Sequence, residues 1–186
     1  MGMPVQKRKF TVDDLDAMPE DGNRYEIIDG ELFVTPPPIV HHQRAQMALI
    51  AQLVPFVTTI DAELLAAPTG VRVSRFTQVE PDLLAVGRMT DVDDTTRWIS
   101  MARLLLAIEV LSPSTRKVDR ERKRRLYLDE GVGEYWTVDA KRRVVEVWRA
   151  GNDSPRVEDS TLVWNPRHDR APLTIDLQRL FTEVHA

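Results

Sequence analysis

The chain of 186 residues contains no cysteine, which excludes disulfides, thiolate zinc sites, iron–sulfur clusters and a cysteine nucleophile. Any metal ligands must be carboxylates or histidines. Glycine is scarce, at 8 residues, and neither G-x-x-x-x-G-K nor G-x-G-x-x-G occurs, so nothing supports a nucleoside-triphosphate or dinucleotide cradle. Long apolar runs are missing too. The best candidate, residues 101–111, is broken by Arg103 and Glu109 and is about half the ~20 apolar residues that a membrane helix needs. No apolar stretch follows Lys7, Arg8 and Lys9, so neither a signal peptide nor a membrane span is expected, and the expected location is the cytoplasm. Basic charge is also short: 25 Lys and Arg against 29 Asp and Glu give −4, which argues against coating nucleic acid through bulk electrostatics. Binding to nucleic acid would need a local patch.

What remains is ordinary for a globular protein, with 42% hydrophobic and 29% charged residues. That is enough for one core, so a single domain over residues 1–186 is expected, with 1–9 as a flexible tail. Thr11 and Asp14 form a capping-box pattern opening a short helix through Met18. Residues 24–28 and 31–35 flank Asp29-Gly30, a strong signal for a β-hairpin, and Pro36, Pro37 and Pro38 stop the second strand. Apolar positions at helical spacing predict a long helix over 39–58, with His41 and His42 in its first turn. Short strands are predicted at 63–66, 71–74 and 79–86, then a polar loop at 91–100. Residues 104–111 are apolar except for Glu109, as in a strand buried on both faces. A charged helix over 119–130, a second hairpin (134–139 and 144–148), a polar loop over 151–170 and an apolar strand-then-helix segment over 173–181 complete the chain. This order predicts an α/β fold with a mixed central sheet flanked by helices and an N-terminal β-hairpin.

Two acids stand where acids rarely stand. Glu109 lies inside an apolar strand, and Asp82 follows Pro81 at the mouth of the strand segment Leu83-Leu84-Ala85-Val86. A buried carboxylate needs a partner. If the two strands are neighbours, two carboxylates ~4 Å apart repel by about 4 kcal/mol at an effective dielectric of 20. A shared proton, a basic side chain or a divalent cation could offset this, and hard oxygen ligands suit Mg²⁺ or Mn²⁺. The structural alternatives are a strand-end cap at Asp82 and an ion pair of Glu109 with Arg72 or Lys123.

Pro81-Asp82 followed by Glu109-Val110-Leu111 resembles the bipartite signature of the PD-(D/E)xK, or restriction-endonuclease-like, nuclease superfamily. The surrounding text is more specific. Residues 24–32 (Arg-Tyr-Glu-Ile-Ile-Asp-Gly-Glu-Leu), 79–82 (Val-Glu-Pro-Asp), 108–115 (Ile-Glu-Val-Leu-Ser-Pro-Ser-Thr) and 131–139 (Gly-Val-Gly-Glu-Tyr-Trp-Thr-Val-Asp) together resemble the Uma-two family of restriction-endonuclease-like proteins. The resemblance implies a restriction-endonuclease-like core and a Mg²⁺- or Mn²⁺-dependent endonuclease hydrolysing phosphodiester bonds, with DNA the favoured nucleic acid. It implies metal ligation by Asp82 and Glu109, with Glu26 as a third carboxylate. The chain departs from the superfamily signature at Leu111, where that signature has Lys. Residues two apart on a strand share a face, so that ammonium must come from elsewhere. Asp119, Lys123 and Tyr127 share one helix face, and the family shows the same spacing, which implies Lys123 as the replacement.

Residues 116–149 hold 11 basic and 7 acidic side chains, a candidate dock for phosphates. His41 and His42 at a helix start could reach the site as acid–base groups but read more simply as incidental, and Trp136 and Trp148 read as core or partner-facing rather than base-stacking. The second hairpin and residues 173–181 are candidates for a homodimer interface. The alternative function is a catalytically inactive nuclease-like fold that binds nucleic acid or protein, since fold does not fix function.

Overall fold

The computed structural model describes residues 8–186; residues 1–7, most of the expected tail, lie outside the described residues. The N-terminal segment forms α1 (Val12–Leu15), where the Asp14 carboxylate accepts from the Thr11 amide at 2.7 Å. Strands β1 (Arg24–Ile28) and β2 (Glu31–Thr35) pair antiparallel, with Ile28 opposite Glu31. Their two-residue loop requires positive φ at both positions, and Asp29 and Gly30 supply 55° and 84°. The long helix α2 (Val40–Thr59) follows the three prolines and carries Pro55 near its end.

β3 (Ala62–Ala66), β4 (Gly70–Ser74), β5 (Thr77–Val79) and β6 (Leu83–Gly87) come next. The single strand expected at 79–86 is thus two strands in different sheets, parted at Pro81, which cannot donate to a ladder. After a loop, β7 (Trp98–Ser100) and β8 (Leu104–Val110) lead to a helical segment of α3 (Arg116–Val118), a π-helical turn (Asp119–Lys123) and α4 (Arg124–Asp129). The helix therefore starts three residues before the expected Asp119. β9 (Glu134–Asp139) and β10 (Val144–Trp148) form the expected hairpin.

Residues 151–170 are not simply a loop. They contain β11 (Arg156–Glu158), an edge strand on β10, and β12 (Thr161–Trp164), which pairs with β13 (Leu173–Asp176) before the closing helix α5 (Leu177–His185). Both strands are short and partly exposed, so their apolar signal is weak, and the partner of β12 lies across a connection of eight residues.

Beside the two-stranded β12-β13 ribbon, two larger sheets form, in the orders β2-β1-β5-β4-β7 and β11-β10-β9-β8-β6-β3. The second is mixed, because β8 and β9 run parallel and their crossover is the segment carrying Lys123. It is also the central layer. One face packs Leu83, Ala85, Leu106, Ile108 and Trp136 against α2 and α5, while the other presents Leu84, Val86, Ala107 and Tyr135 to the first sheet. Apolar burial on both faces is why residues 104–110 read as a continuous apolar run. Leu177, Leu180, Phe181 and Val184 are buried in this core, as are Val145 and Val147 of the second hairpin. The apolar faces considered for a homodimer are therefore covered within the chain itself. No helix among the described residues is long and apolar enough to cross a membrane.

The parallel pair depends on a close approach at Gly133, where an added Cβ would lie 2.8 Å from the Leu105 carbonyl oxygen. Gly133→Ala is expected to destabilise the fold by about 1–3 kcal/mol, read as a lower urea midpoint. An unchanged midpoint would show that the chain does not pass so near β8 at this point.

Candidate active site

Alternation along three strands carries the acids into one layer. Glu26 shares a face of β1 with Ile28, Asp82 continues the face of Leu84 and Val86, and Glu109 shares that of Ala107. All four of these apolar residues belong to the core between the two sheets. Glu26, Asp82 and Glu109 are 1%, 2% and 1% exposed. The crossover closes the layer from one side. Its π-helical turn, a local widening that often marks functional positions, sets Asp119 and Lys123 inward at 1% and 2% exposure.

Lys123 Nζ lies 2.7 Å from Glu26 Oε1, 2.9 Å from Glu109 Oε1 and 3.8 Å from Asp119 Oδ1. Tyr127, on the same helical face, donates its hydroxyl to Glu109 Oε1 at 3.4 Å. Of the two structural partners considered for Glu109, Lys123 is the one present; Arg72 instead bonds Gln78. The Glu80 amide donates to Glu26 Oε1 at 2.7 Å. Asp82 is held by Arg24 at 2.9 Å, by His42 Nε2 at 2.9 Å and by the Val110 amide at 2.8 Å. The last bond joins the residue just before β6 to the end of β8, so Asp82 ties two core strands together as well as facing the cluster.

Four buried carboxylates (Glu26, Asp82, Glu109, Asp119) face two permanent cations, Arg24 and Lys123. Burial pushes the Glu109 carboxyl well above the usual carboxylate range, against the pull of Lys123, and pushes Asp119 up to about 6. Burial acts the same way on Asp82, but His42, Arg24 and the Val110 amide outweigh it and hold that carboxyl below its usual range. Lys123 stays charged, because Glu109, Glu26 and Asp119 more than offset its desolvation.

Leu111 donates its amide to the Val138 carbonyl at 2.9 Å and is 9% exposed. It brings no ammonium, and Lys123 reaches Glu109 from the crossover instead. A cleft of about 830 Å³ opens over Arg24, His42 and Asp82, between the turn of Pro36, Pro37 and Pro38 and residues 112–115. Glu26, Glu109 and Lys123 lie buried behind this opening.

The donor set fits a hard cation in chemistry: its acids are all carboxylates, and the four of them outnumber the two permanent cations. Among the described residues, however, no three such side chains converge as a ready ligand set. Lys123 bridges Glu26 and Glu109, while Arg24 and His42 occupy Asp82.

Arg24 and His42 were not singled out as site residues by sequence reasoning. Arg24 carried a usable signal, since it is two residues from Glu26 on the same strand face. The adjacent histidines split: His41 Nδ1 lies 3.2 Å from the Val184 carbonyl in a contact between helices, whereas His42 joins the site. The basic segment 116–149 is largely committed internally, with Arg116 on Asp139, Arg120 on Glu146, Arg149 on Glu134 and Arg124 over Trp148. It is a weaker phosphate dock than its composition suggested. Trp136 and Trp148 are core residues, at 0% and 7% exposure.

The family model Uma2, described as "Putative restriction endonuclease", matches residues 12–178, a span that includes every residue of the cluster. The chain belongs to the Uma2 family. A crystal structure described as "a putative nuclease belonging to DUF820" from Anabaena variabilis ATCC 29413 superposes with a TM-score of 0.77 at 17% identity, covering 94% of this chain and 99% of that one. At that identity the likeness establishes the fold: the chain has the α/β architecture of this nuclease-like protein. No curated protein matches the chain significantly.

Proposed function

We propose that this Uma2 protein is a divalent-cation-dependent endonuclease that hydrolyses phosphodiester bonds in nucleic acid, with DNA favoured, at the cleft over Asp82. The observation that carries this reading is the Lys123 ammonium buried between Glu26 and Glu109, beside Asp82. A purely structural ion pair needs one carboxylate for each cation, and this cluster keeps two in excess. Uma2 membership supports nuclease chemistry for such a site.

Asp82, Glu109 and Glu26 would hold Mg²⁺ or Mn²⁺, which when bound polarises a phosphoryl oxygen and lowers the pKa of bound water. Lys123 fixes the orientation of Glu26 and Glu109 and places a compact positive charge where a phosphate gains negative charge. Arg24 and His42 line the cleft and orient Asp82.

Supercoiled plasmid incubated with Mn²⁺ is expected to be nicked by wild type, with Glu109→Gln and Asp82→Asn slower by roughly 100-fold or more. These isosteric changes remove charge while keeping volume, and circular dichroism checks that the variants are folded. Equal nicking by all three proteins would trace the activity to a contaminant and remove the site. No cleavage and no heat of Mn²⁺ binding by wild type would leave the inactive nuclease-like module, which binds nucleic acid or protein without cutting.

A further inference from the structure

A second cavity, of about 1080 Å³, lies on the first sheet beside the cleft, and both are lined by Pro68 and Glu80. Glu80 is the residue whose amide holds Glu26. The floor is built from β4, β5 and β7. There the Arg72 guanidinium carbon lies 4.4 Å from the centroid of the Trp98 ring, and Arg72 Nε donates to Gln78 Oε1 at 2.9 Å. Gly70 pairs with Trp98 across the parallel β4–β7 ladder, and an added Cβ there would meet Gln78, Arg97 and Trp98 at 3.1–3.2 Å, so the missing side chain keeps this floor tight. Trp98 is 43% exposed, whereas Trp136, Trp148 and Trp164 are buried. Among the described residues, no other tryptophan is left this open.

We infer that this cavity is a nucleobase pocket that takes an unpaired base of the nucleic-acid substrate, stacked on the exposed Trp98 ring, whose other face Arg72 braces. This rests on the nuclease reading of the adjoining cleft and adds to it the kind of strand recognised. A flat aromatic ring braced by a guanidinium is a stacking platform for any base. Asp13, Asp16 and Asp93 also line the cavity and outnumber Arg97 there, while Asp91 and Arg103 on the same wall pair with each other. This excess of acids disfavours a phosphate inside it and favours a neutral ring whose amino groups donate.

The test is fluorescence anisotropy in EDTA, where cleavage is blocked, with a short labelled single-stranded DNA, the same sequence as RNA, and the DNA with its bases removed. Trp98→Ala is expected to weaken binding of the intact single strand by roughly 5- to 150-fold, while Trp98→Phe restores most of it. Removal of the bases should reproduce the loss in wild type and add little in Trp98→Ala. The DNA and RNA arms decide which sugar the site accepts. Equal affinity of wild type and Trp98→Ala for both strands, indifference to base removal, or no binding by wild type overturns the pocket. Plasmid nicking by wild type and Glu109→Gln is scored separately. Cleavage without Trp98-dependent binding sinks the pocket alone, and Trp98-dependent binding without cleavage sinks the nuclease reading alone.

Discussion

Lys123→Ala is expected to lower the unfolding free energy by about 3–5 kcal/mol at neutral pH, the usual cost of removing one partner from a buried ion pair. The reason is what remains rather than what is removed. Without the ammonium, Glu26 and Glu109 stay buried at 1% exposure each with their common counter-charge gone. An exposed pair on the same helix would cost only a few tenths of a kcal/mol, so urea denaturation separates the two cases. Replacing the pair together, as Lys123→Met with Glu109→Gln, removes a stranded charge and is expected to recover a large part of the loss. A Lys123→Ala midpoint equal to wild type would show that the ammonium is solvated and that the cluster does not form.

Trp136→Ala is expected to cost about 3–5 kcal/mol for a different reason, the cavity left by a large core side chain. Its ring is fully buried on the helix-facing side of β9, 6.0 Å from that of Trp164 in an edge-on contact. Its Nε1 donates to Glu134 at 2.7 Å, and Glu134 in turn pairs with Arg149. For a domain of this size the loss corresponds to a melting temperature lower by roughly 6–20 °C. A shift of only a degree or two would place the ring at a surface, free for a partner. Trp136 and Lys123 act on opposite faces of the central sheet, so their effects should add in the double variant.

Local signals located most elements, because each rests on chemistry within a few residues. Asp29-Gly30 defines the first hairpin through two positive φ angles, the proline run ends β2, and the apolar stretch at 104–110 marks the innermost strand. The weak points were segments whose partner is distant. Residues 156–158 and 161–164 become strands only because β10 and β13 offer them ladders. Residues 79–86 break into two strands because the sheets they join diverge at Pro81. Arg24 and His42 were hidden for a related reason: an arginine on a half-exposed strand and a histidine at a helix start look like solvated residues until Asp82 is placed between them.

By itself the sequence determined that Asp82 and Glu109 were out of keeping with their apolar neighbours, and that Asp119, Lys123 and Tyr127 share a helix face. Periodicity and burial cost act along the chain and can be read there. Only the tertiary structure decided that three strands and a crossover deliver Glu26, Asp82, Glu109 and Lys123 to one dry layer between two sheets, with the cleft opening at Asp82. That convergence depends on strand order and register, which follow from how the two sheets bury their apolar faces against each other and against α2 and α5, and no local stretch of residues encodes it.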